Sequence, residues 1–302
     1  MTASLAFVGI GQLGLALIHR LVVAGVEVAA IDIRSSARGA ALDEGATAAV
    51  DRLGDLPQRP GIVCACLPGQ TELQAVLDDV VAMGLAAPAV VVNLSTVGPV
   101  GAAANEAVLL VAGIAYVEAP VTGGVARTRQ GKSTLIVGTA SASLPAAVEA
   151  MLGALGRHVV RAPSVRAAAV AKLVNNVASI AGTLALLEAF ELGAVAGLEP
   201  AFLYEVCSHG TADSYVLRST LRRTLFDRDV TTGFATRLAR KDLRLAEELA
   251  VTHAVSVPLV GAAATLLDRA IAQGHSDDGF TAGATHGAAW QQSASTIGTE
   301  AP

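Results

Sequence analysis

The sequence has few aromatic residues, few cysteines and no long basic run, and each shortage narrows the class of protein. Aromatic residues make up 3% of the 302 residues and apolar residues 53%, so we expect a core built mainly from Ala, Val and Leu. The net charge of −5 without a basic run argues against nucleic acid as a partner. A chain of this length predicts about two domains and a large core.

The cysteines and histidines show no metal-binding or redox spacing. Cys64 and Cys66 lie two residues apart on a predicted strand, and Cys207 is distant in sequence. We expect Cys64 and Cys66 in the core of a protein from a reducing compartment, with no metal site. The N-terminal segment has no cationic region of the kind that opens a secretory signal. These features predict a soluble, cytoplasmic protein; the histidines without metal spacing are His209, His253, His275 and His286.

A glycine-rich turn follows the first apolar segment. The predicted strand Leu5–Val8 leads into Gly9-Ile10-Gly11-Gln12-Leu13-Gly14 and then into a predicted helix at residues 15–24. The next predicted strand, residues 26–31, ends at Asp32. A G-x-G-x-x-G motif between a strand and a helix, followed by an acidic residue after the second strand, predicts a dinucleotide site. Gly9 allows the tight turn, Gly11 lets a pyrophosphate approach the backbone, and Gly14 permits close packing of helix and sheet.

The residue at the end of the second strand bears on the choice of cofactor. Asp32 would accept hydrogen bonds from the adenosine ribose and repel a 2′-phosphate, which favours NAD over NADP. Arg34 would instead hold that phosphate, so NADP stays open as the alternative.

Predicted strands and helices continue to alternate, as a doubly wound sheet requires. Further strands are predicted at residues 61–67, 89–94, 115–119, 133–138 and 156–160, and helices at 71–83 and 102–112. Ligands of such sheets bind beyond the carboxyl ends of the strands. Leu67 and Pro68, and the segment from Asn93 to Thr96, are therefore candidate cofactor contacts by position.

A hydroxyl residue and two glycines, Thr122, Gly123 and Gly124, follow the predicted strand at 115–119. Consecutive backbone N–H groups in such a turn form a cradle for a carboxylate; the alternative is an ordinary glycine turn. The nearby basic residues Arg127, Arg129 and Lys132 form either a solvated face or an attraction for an anionic substrate.

The most apolar segment, residues 166–190, carries an amine and an amide one helical turn apart. Lys172 and Asn176 share a face of the predicted helix, and Asn175 lies about 100° around it. Lysine is rarely buried without a partner or a function. The alternatives are a membrane span, disfavoured by these polar residues and by the lack of a second such segment, and a lysine that snorkels to water.

The second half of the chain has a helical pattern without clear strands. Helices are predicted at 200–207, 214–225, 234–246 and 259–273, with a polar loop at 208–214. The predicted fold class is α/β, with a Rossmann-type N-terminal domain, an all-α C-terminal domain and a long interdomain helix. The expected domains are 1–163 and 164–290, followed by a flexible tail at 291–302. A helical domain joined by a long apolar helix favours a homodimer or homotetramer.

Four motifs in register resemble the β-hydroxyacid dehydrogenase family, which includes 3-hydroxyisobutyrate dehydrogenase and tartronate semialdehyde reductase. They span the chain to about residue 280, and they are Phe7-Val-Gly-Ile-Gly-Gln-Leu-Gly14, Glu118-Ala-Pro-Val-Thr-Gly-Gly124, Lys172-Leu-Val-Asn-Asn176 and Lys241-Asp-Leu-Arg-Leu-Ala246. The resemblance implies that Lys172 is the catalytic lysine and that Asn176 holds the substrate. It also implies that Thr122, Gly123 and Gly124 bind the substrate carboxylate, and that Thr96 and Lys241 lie near the nicotinamide. Phe234, at the start of the segment that leads to Lys241, is a further cofactor candidate.

The implied activity is hydride transfer between NAD or NADP and a small anionic 3-hydroxy acid, or reduction of the matching semialdehyde. Lys172 would act as general acid and base if desolvation lowers its pKa from about 10.4 toward neutrality. The open alternatives are an imine reductase, which usually lacks this lysine, an oxidative decarboxylase, and a non-catalytic nucleotide-binding regulator.

Four residues depart from the family pattern. Thr122 replaces a serine, and Arg127, Arg166 and Ala168 replace glycines. These changes affect which hydroxy acid the site would accept as substrate, rather than the hydride-transfer reaction.

Overall fold

The computed structural model describes residues 4–84, 89–226 and 233–282. The chain forms two compact units, Met1–Leu173 and Val174–Pro302. The predicted tail at 291–302 and His286 lie outside the described residues.

The first unit is built on a parallel sheet of six strands in the order β3-β2-β1-β4-β5-β6. Short apolar runs buried on both faces are typical of parallel strands, and β1, β4 and β5 are buried at every residue. The six strands are β1 (Leu5–Val8), β2 (Val28–Ile31), β3 (Ala48–Val50), β4 (Ile62–Ala65), β5 (Val90–Asn93) and β6 (Ala115–Glu118).

Helices cover both faces of this sheet, as a doubly wound fold requires. Phe7 and Leu17 belong to the core on one face, and Val63 and Leu77 to the core on the other. The helices of the unit are α1 (Gln12–Val23), α2 (Ser35–Asp43), α3 (Gln70–Ala82), α4 (Gly98–Val111), α5 (Gly124–Arg129) and α6 (Ala146–Leu155), with a short 3-10 helix at Leu53–Asp55.

A second, three-stranded sheet follows in the same unit. Its strands are β7 (Val121–Thr122), β8 (Thr134–Val137) and β9 (His158–Arg161). β7 pairs antiparallel with β8, and β8 pairs parallel with β9. The isolated bridge between Glu118 and Gly138 links the end of β6 to this second sheet.

The long apolar helix predicted at 166–190 is α7 (Val165–Val195). The boundary between the two units falls within it. Among the described residues, α7 is the one helix long and apolar enough to cross a membrane by length and composition, and 39% of its most apolar window is buried.

The described part of the second unit is helical apart from an isolated bridge between Ala235 and Gly279. Its core joins Ile180 and Leu187 of α7 to Leu221, Leu243 and Leu267. The remaining helices are α8 (Pro200–His209), a π-helical segment (Leu217–Leu221), α9 (Arg222–Phe226), α10 (Thr236–Thr252) and α11 (Pro258–Ala272).

Several predicted boundaries shift. The helix predicted from residue 214 contains the π-helical segment Leu217–Leu221, and the helix predicted from Phe234 begins at Thr236. Phe234 lies in a bend before the helix; its carbonyl oxygen accepts a hydrogen bond from the amide of Phe280 at 2.9 Å, and Ala235 next to it forms the bridge with Gly279. The predicted polar loop at 208–214 is shorter, since α8 continues to His209.

Candidate functional site

The glycine turn between β1 and α1 has the shape that a dinucleotide requires. A Cβ on Gly9 would lie 2.3 Å from the carbonyl oxygen of Cys66, and one on Gly14 would lie 2.0 Å from the carbonyl oxygen of Gly9. Nothing lies within 4 Å of the corresponding position on Gly11. Gly9 and Gly14 are thus packed against backbone, whereas Gly11 leaves open space before the first N–H groups of α1. This arrangement fits a pyrophosphate at the helix N-terminus.

Asp32 lies one residue beyond β2 and is held on both carboxylate oxygens. The amide of Ile10 donates to Oδ2 at 2.8 Å, and Arg34 donates through its backbone N at 2.9 Å and through Nε and Nη2 at 3.0 and 2.9 Å. Burial would raise the pKa of Asp32, but the hydrogen bonds and charge of Arg34 outweigh it and hold that pKa below its usual value. The carboxylate is therefore ionised at neutral pH and paired with a guanidinium.

Side-chain hydrogen bonds connect the carboxyl ends of β4, β5 and β6. The amide of Leu67 donates to Ser95 Oγ at 2.8 Å, and the amide of Ser95 donates to Asn93 Oδ1 at 3.0 Å. Asn93 Nδ2 in turn donates to the carboxyl group of Glu118 at 3.0 Å. This chain of bonds sets the segments that carry Leu67, Pro68 and Thr96, which are the candidate cofactor contacts at this edge of the sheet.

Glu118, at the end of β6, is fully buried. The hydroxyl of Tyr116 donates to its Oε2 at 2.6 Å, and Tyr116 also accepts from Asn105 Nδ2 at 3.3 Å. Burial raises the pKa of Glu118 to about 8, although the bonds from Tyr116 and Asn93 oppose this shift. The sequence prediction named Asn93 only as a cofactor candidate by position and assigned no role to Tyr116 or Glu118. The signal that could have pointed to the network is a polar residue at the end of each of two neighbouring apolar strands.

The turn of Thr122, Gly123 and Gly124 joins the end of β7 to the start of α5. Gly123 has φ +122° and Gly124 has φ +76°, conformations that L side chains rarely adopt. The side chain of Arg127 lies over Gly123, with its Nε 3.5 Å from the position of a Cβ there. Arg127 Nη2 donates to the carbonyl oxygen of Lys132 at 2.9 Å. The residue that replaces an expected glycine thus brings a positive charge to this turn.

Lys172 lies in the second turn of α7 and is 8% exposed. Its Nζ donates to the carbonyl oxygen of Val121 at 2.7 Å, immediately before Thr122. The lysine therefore does not snorkel to water, and within the first unit its amine lies beside the glycine turn.

The start of α7 accommodates both residues that replace expected glycines. Ser164 Oγ caps the helix by accepting from the amide of Ala167 at 3.2 Å. Ala168 is buried, and its methyl group lies 3.0 Å from where a Cβ on Gly138 would be. Gly138 thus leaves the space that the Ala168 methyl fills, while Arg166 is exposed.

In the second unit, Asn176 contacts α10. Its Nδ2 donates to Asp242 Oδ2 at 2.5 Å, and its Oδ1 accepts from Asn175 Nδ2 at 3.0 Å. Asp242 Oδ1 lies 3.0 Å from Lys241 Nζ. The structure therefore brings the predicted residues Asn176 and Lys241 to one buried carboxylate, Asp242, to which the sequence prediction assigned no role. The sequence does carry a signal for a role of Asp242, since it is an acidic residue on the apolar face of the amphipathic helix α10.

Phe234, the remaining cofactor candidate, lies before α10 in the second unit. Its ring meets that of Phe280 edge to face, with 6.3 Å between ring centroids. It is partly buried and packs against the core of the unit.

Two family models match the chain. Residues 4–164 match the NAD binding domain of 6-phosphogluconate dehydrogenase, and residues 167–286 match the model described as NAD-binding of NADP-dependent 3-hydroxyisobutyrate dehydrogenase. The chain belongs to the β-hydroxyacid dehydrogenase family. It is an NAD(P)-dependent hydroxyacid dehydrogenase, as the resemblance implies, and the other predicted activities are not favoured.

Curated relatives span nearly the whole chain. It is 29% identical to the NAD-dependent L-serine dehydrogenase of Pseudomonas aeruginosa over 285 residues, 92% of this chain and 95% of the relative. It is 28% identical to the 2-(hydroxymethyl)glutarate dehydrogenase of Eubacterium barkeri over 277 residues, 90% of this chain and 91% of the relative.

A solved structure shares the fold. The 3-hydroxyisobutyrate dehydrogenase of Salmonella typhimurium superposes with a TM-score of 0.84 at 23% identity, covering 93% of this chain and 99% of that chain. The predicted Rossmann-type domain followed by a helical domain is confirmed.

Proposed function

We propose that this dehydrogenase oxidises a small 3-hydroxy acid, or reduces the matching semialdehyde, with NAD as its preferred cofactor and Lys172 as general acid and base. The observation that carries the proposal is the buried amine of Lys172, bonded to the carbonyl oxygen of Val121 beside the glycine turn. A basic group fixed beside a carboxylate cradle suits an alcohol next to a carboxylate.

The proposed chemistry separates a hydride from a proton. A nicotinamide bound here would supply the acceptor for the hydride of the alcohol carbon, or the hydride donor for the carbonyl carbon in the reverse direction. Lys172 Nζ takes the hydroxyl proton during oxidation and gives it back during reduction. The hydroxyl of Thr122 and the amides of Gly123 and Gly124 bind the substrate carboxylate, and Asn176 binds the substrate as the resemblance implies.

The names of two relatives support a hydroxyl in the 3-position. L-serine and 2-(hydroxymethyl)glutarate each carry a hydroxyl on the carbon next to the one that bears a carboxylate. Arg127 adds a positive charge to the turn proposed for that carboxylate, so the substrate is an anion, and a second acidic group is compatible with this site.

The proposed cofactor contacts of the first unit are the glycine turn Gly9-Ile10-Gly11-Gln12-Leu13-Gly14, Asp32, Leu67, Pro68 and Thr96; those of the second unit are Phe234 and Lys241. The preference for NAD rests on Asp32, which is ionised at neutral pH and would repel a 2′-phosphate. Arg34 pairs with that carboxylate and is the group that would hold the phosphate if NADP were used.

We further propose a cytoplasmic homodimer or homotetramer that binds neither nucleic acid nor membrane. Its three cysteines are free thiols, as expected in a reducing compartment. α7 and α8 pack closely where Gly193 faces Leu203. Beside this contact, Leu192, Val195, Phe202 and Val206 are each more than half exposed, and a second copy would cover them. Light scattering of the purified protein is expected to show a dimer or tetramer, and a monomer at micromolar concentration would contradict this.

The proposed function is tested with a panel of small 3-hydroxy acids and semialdehydes, assayed with NAD and NADP separately by the absorbance of the reduced cofactor. The panel contains monocarboxylates and dicarboxylates, together with their 2-hydroxy isomers and a set of imines. We expect turnover of at least one 3-hydroxy acid with the 2-hydroxy isomer left unused. Turnover confined to imines would contradict the proposal, and so would release of carbon dioxide in step with hydride transfer.

A further inference from the structure

The second unit contains a buried carboxylate that the proposed chemistry does not use. Asp242 lies on α10 and is 2% exposed. Its Oδ2 accepts from Asn176 Nδ2 at 2.5 Å, and its Oδ1 lies 3.0 Å from Lys241 Nζ. The hydrogen bond to Asn176 is directional, whereas the contact with Lys241 is an ion pair.

The carboxylate of Asp242 fixes the orientation of the Asn176 side-chain amide. An ionised carboxylate only accepts hydrogen bonds, so it selects the nitrogen end of the amide. The oxygen end already accepts from Asn175 Nδ2 at 3.0 Å. A flip of the amide would place Asn176 Oδ1 against Asp242 and its Nδ2 against the amide nitrogen of Asn175, and both bonds would be lost.

The same carboxylate restrains Lys241. Lysine has a long stem with several rotatable bonds, so its ammonium group has no fixed position of its own. The Lys241 side chain is 19% exposed, and its ion pair with Asp242 anchors the ammonium close to Asn176. One acidic group therefore orients both an amide and an ammonium.

Stability alone gives little reason for a carboxylate here. A buried ion pair gains little over apolar residues of the same volume because removing the two charges from water costs as much as their attraction returns. Orientation of neighbouring polar groups is what an apolar residue could not supply.

We propose that Asp242 is a positioning residue, which holds Asn176 in the orientation that binds the hydroxy acid and Lys241 in the orientation that serves the nicotinamide end of the cofactor. This inference rests on the proposed function of those two residues.

The test is the Asp242→Asn variant, which keeps the size of the side chain and removes its charge. We expect the KM for the hydroxy acid to rise about 10- to 100-fold, because misplaced binding groups cost about that much. The dissociation constant of NAD is expected to change less than about threefold, since most of the proposed dinucleotide contacts belong to the first unit. Asp277→Asn is the matched control: it removes an exposed carboxylate paired with Arg237, and its KM is expected to equal that of the wild type.

A double-mutant cycle separates positioning from a general structural role. If Asp242 acts through Asn176, adding Asp242→Asn to Asn176→Ala raises the KM by less than about threefold. An equal rise in both backgrounds would overturn the proposal, and so would an unchanged KM in Asp242→Asn. If that variant does not fold, Asp242→Glu keeps the charge but moves it by one methylene, and an unchanged KM there would also overturn it.

Failure of the proposed function and failure of the positioning role of Asp242 give different kinetic results. In that case the wild type turns over no 3-hydroxy acid and Lys172→Ala changes nothing. If the wild type is active and Lys172→Ala is not, a normal KM in the Asp242 variants refutes the positioning role alone.

Discussion

The Nζ of Lys172 donates a hydrogen bond to the carbonyl oxygen of Val121 at 2.7 Å. This contact joins the second turn of α7 to the residue before Thr122, so the amine and the glycine turn have a fixed spacing within the first unit.

Replacing the lysine tests its proposed role. We expect Lys172→Ala to lower kcat by about 10²- to 10⁴-fold, the range of a lost general acid or base, with the affinity for NAD unchanged. Steady-state kinetics and calorimetric titration of the cofactor measure the two quantities. Arg157→Ala removes an exposed cation that has no proposed role in the site and serves as the control. Near-normal turnover of Lys172→Ala would refute the assignment.

Two glycines of the same turn are expected to respond differently to a methyl group. Gly14→Ala drives a Cβ to 2.0 Å from a carbonyl oxygen, so we expect it to destabilise the fold by about 2 kcal/mol or more. Gly11→Ala meets nothing within 4 Å, and we expect a normal melting temperature with at least about tenfold weaker cofactor binding. Thermal unfolding with and without NAD distinguishes the two. Tight binding of NAD by Gly11→Ala would argue against a pyrophosphate at this place.

The pairing of Asp32 with Arg34 makes the choice of cofactor testable. Arg34→Ala leaves the carboxylate without its guanidinium, so we expect kcat/KM with NADP to fall about tenfold while the value with NAD is kept or improved. Asp32→Asn removes the repulsion of a 2′-phosphate and should shift the ratio toward NADP. Arg59→Ala, a change at an exposed arginine that bonds Gly84, is the control. A wild type that prefers NADP, with the preference abolished in Arg34→Ala, would reverse the proposed preference.

Glu118 predicts a pH dependence of stability. Its pKa is about 8 in the folded protein, against 4.5 for an ordinary glutamate. Between these values the folded state binds more protons than the unfolded state, so the free energy of unfolding falls as the pH rises. The expected loss between about pH 5 and pH 8 is on the order of 3 kcal/mol.

Glu118→Gln is neutral at every pH and should remove that loss. Urea unfolding of both proteins across this pH range isolates the contribution of Glu118, since other titrating groups are shared. Parallel pH profiles for the two proteins would show that Glu118 is ionised in the fold at neutral pH.

Much of the first unit could be predicted because its strands are apolar at consecutive residues. β1 has the predicted bounds, and β4, β5 and β6 lie within the predicted runs and are one to three residues shorter. α2 was not predicted, because only Ala37 and Ala41 of it are buried and the rest has no clear periodicity. α6 was not predicted either. Its helix could have been recognised, because the buried residues Val148, Met151, Leu152 and Leu155 follow helical spacing.

The candidate site could be proposed from the sequence where its residues lie close together along the chain. The glycine turn, and the pair Lys172 and Asn176, are short motifs whose spacing carries meaning. The link of Asn176 to Asp242 joins residues 66 positions apart, and that of Glu118 to Asn93 joins strands through their side chains. Such long-range contacts follow from the packing of elements, which periodicity does not encode.

The hydrogen-bonded chain from Leu67 through Ser95 and Asn93 to Glu118 constrains how this enzyme can be redesigned. A chimera that grafts a single loop from a relative would leave a buried donor or acceptor of this hydrogen-bond network beside a mismatched neighbour. Exchanges at this edge of the sheet therefore have to transfer the ends of β4, β5 and β6 as one block.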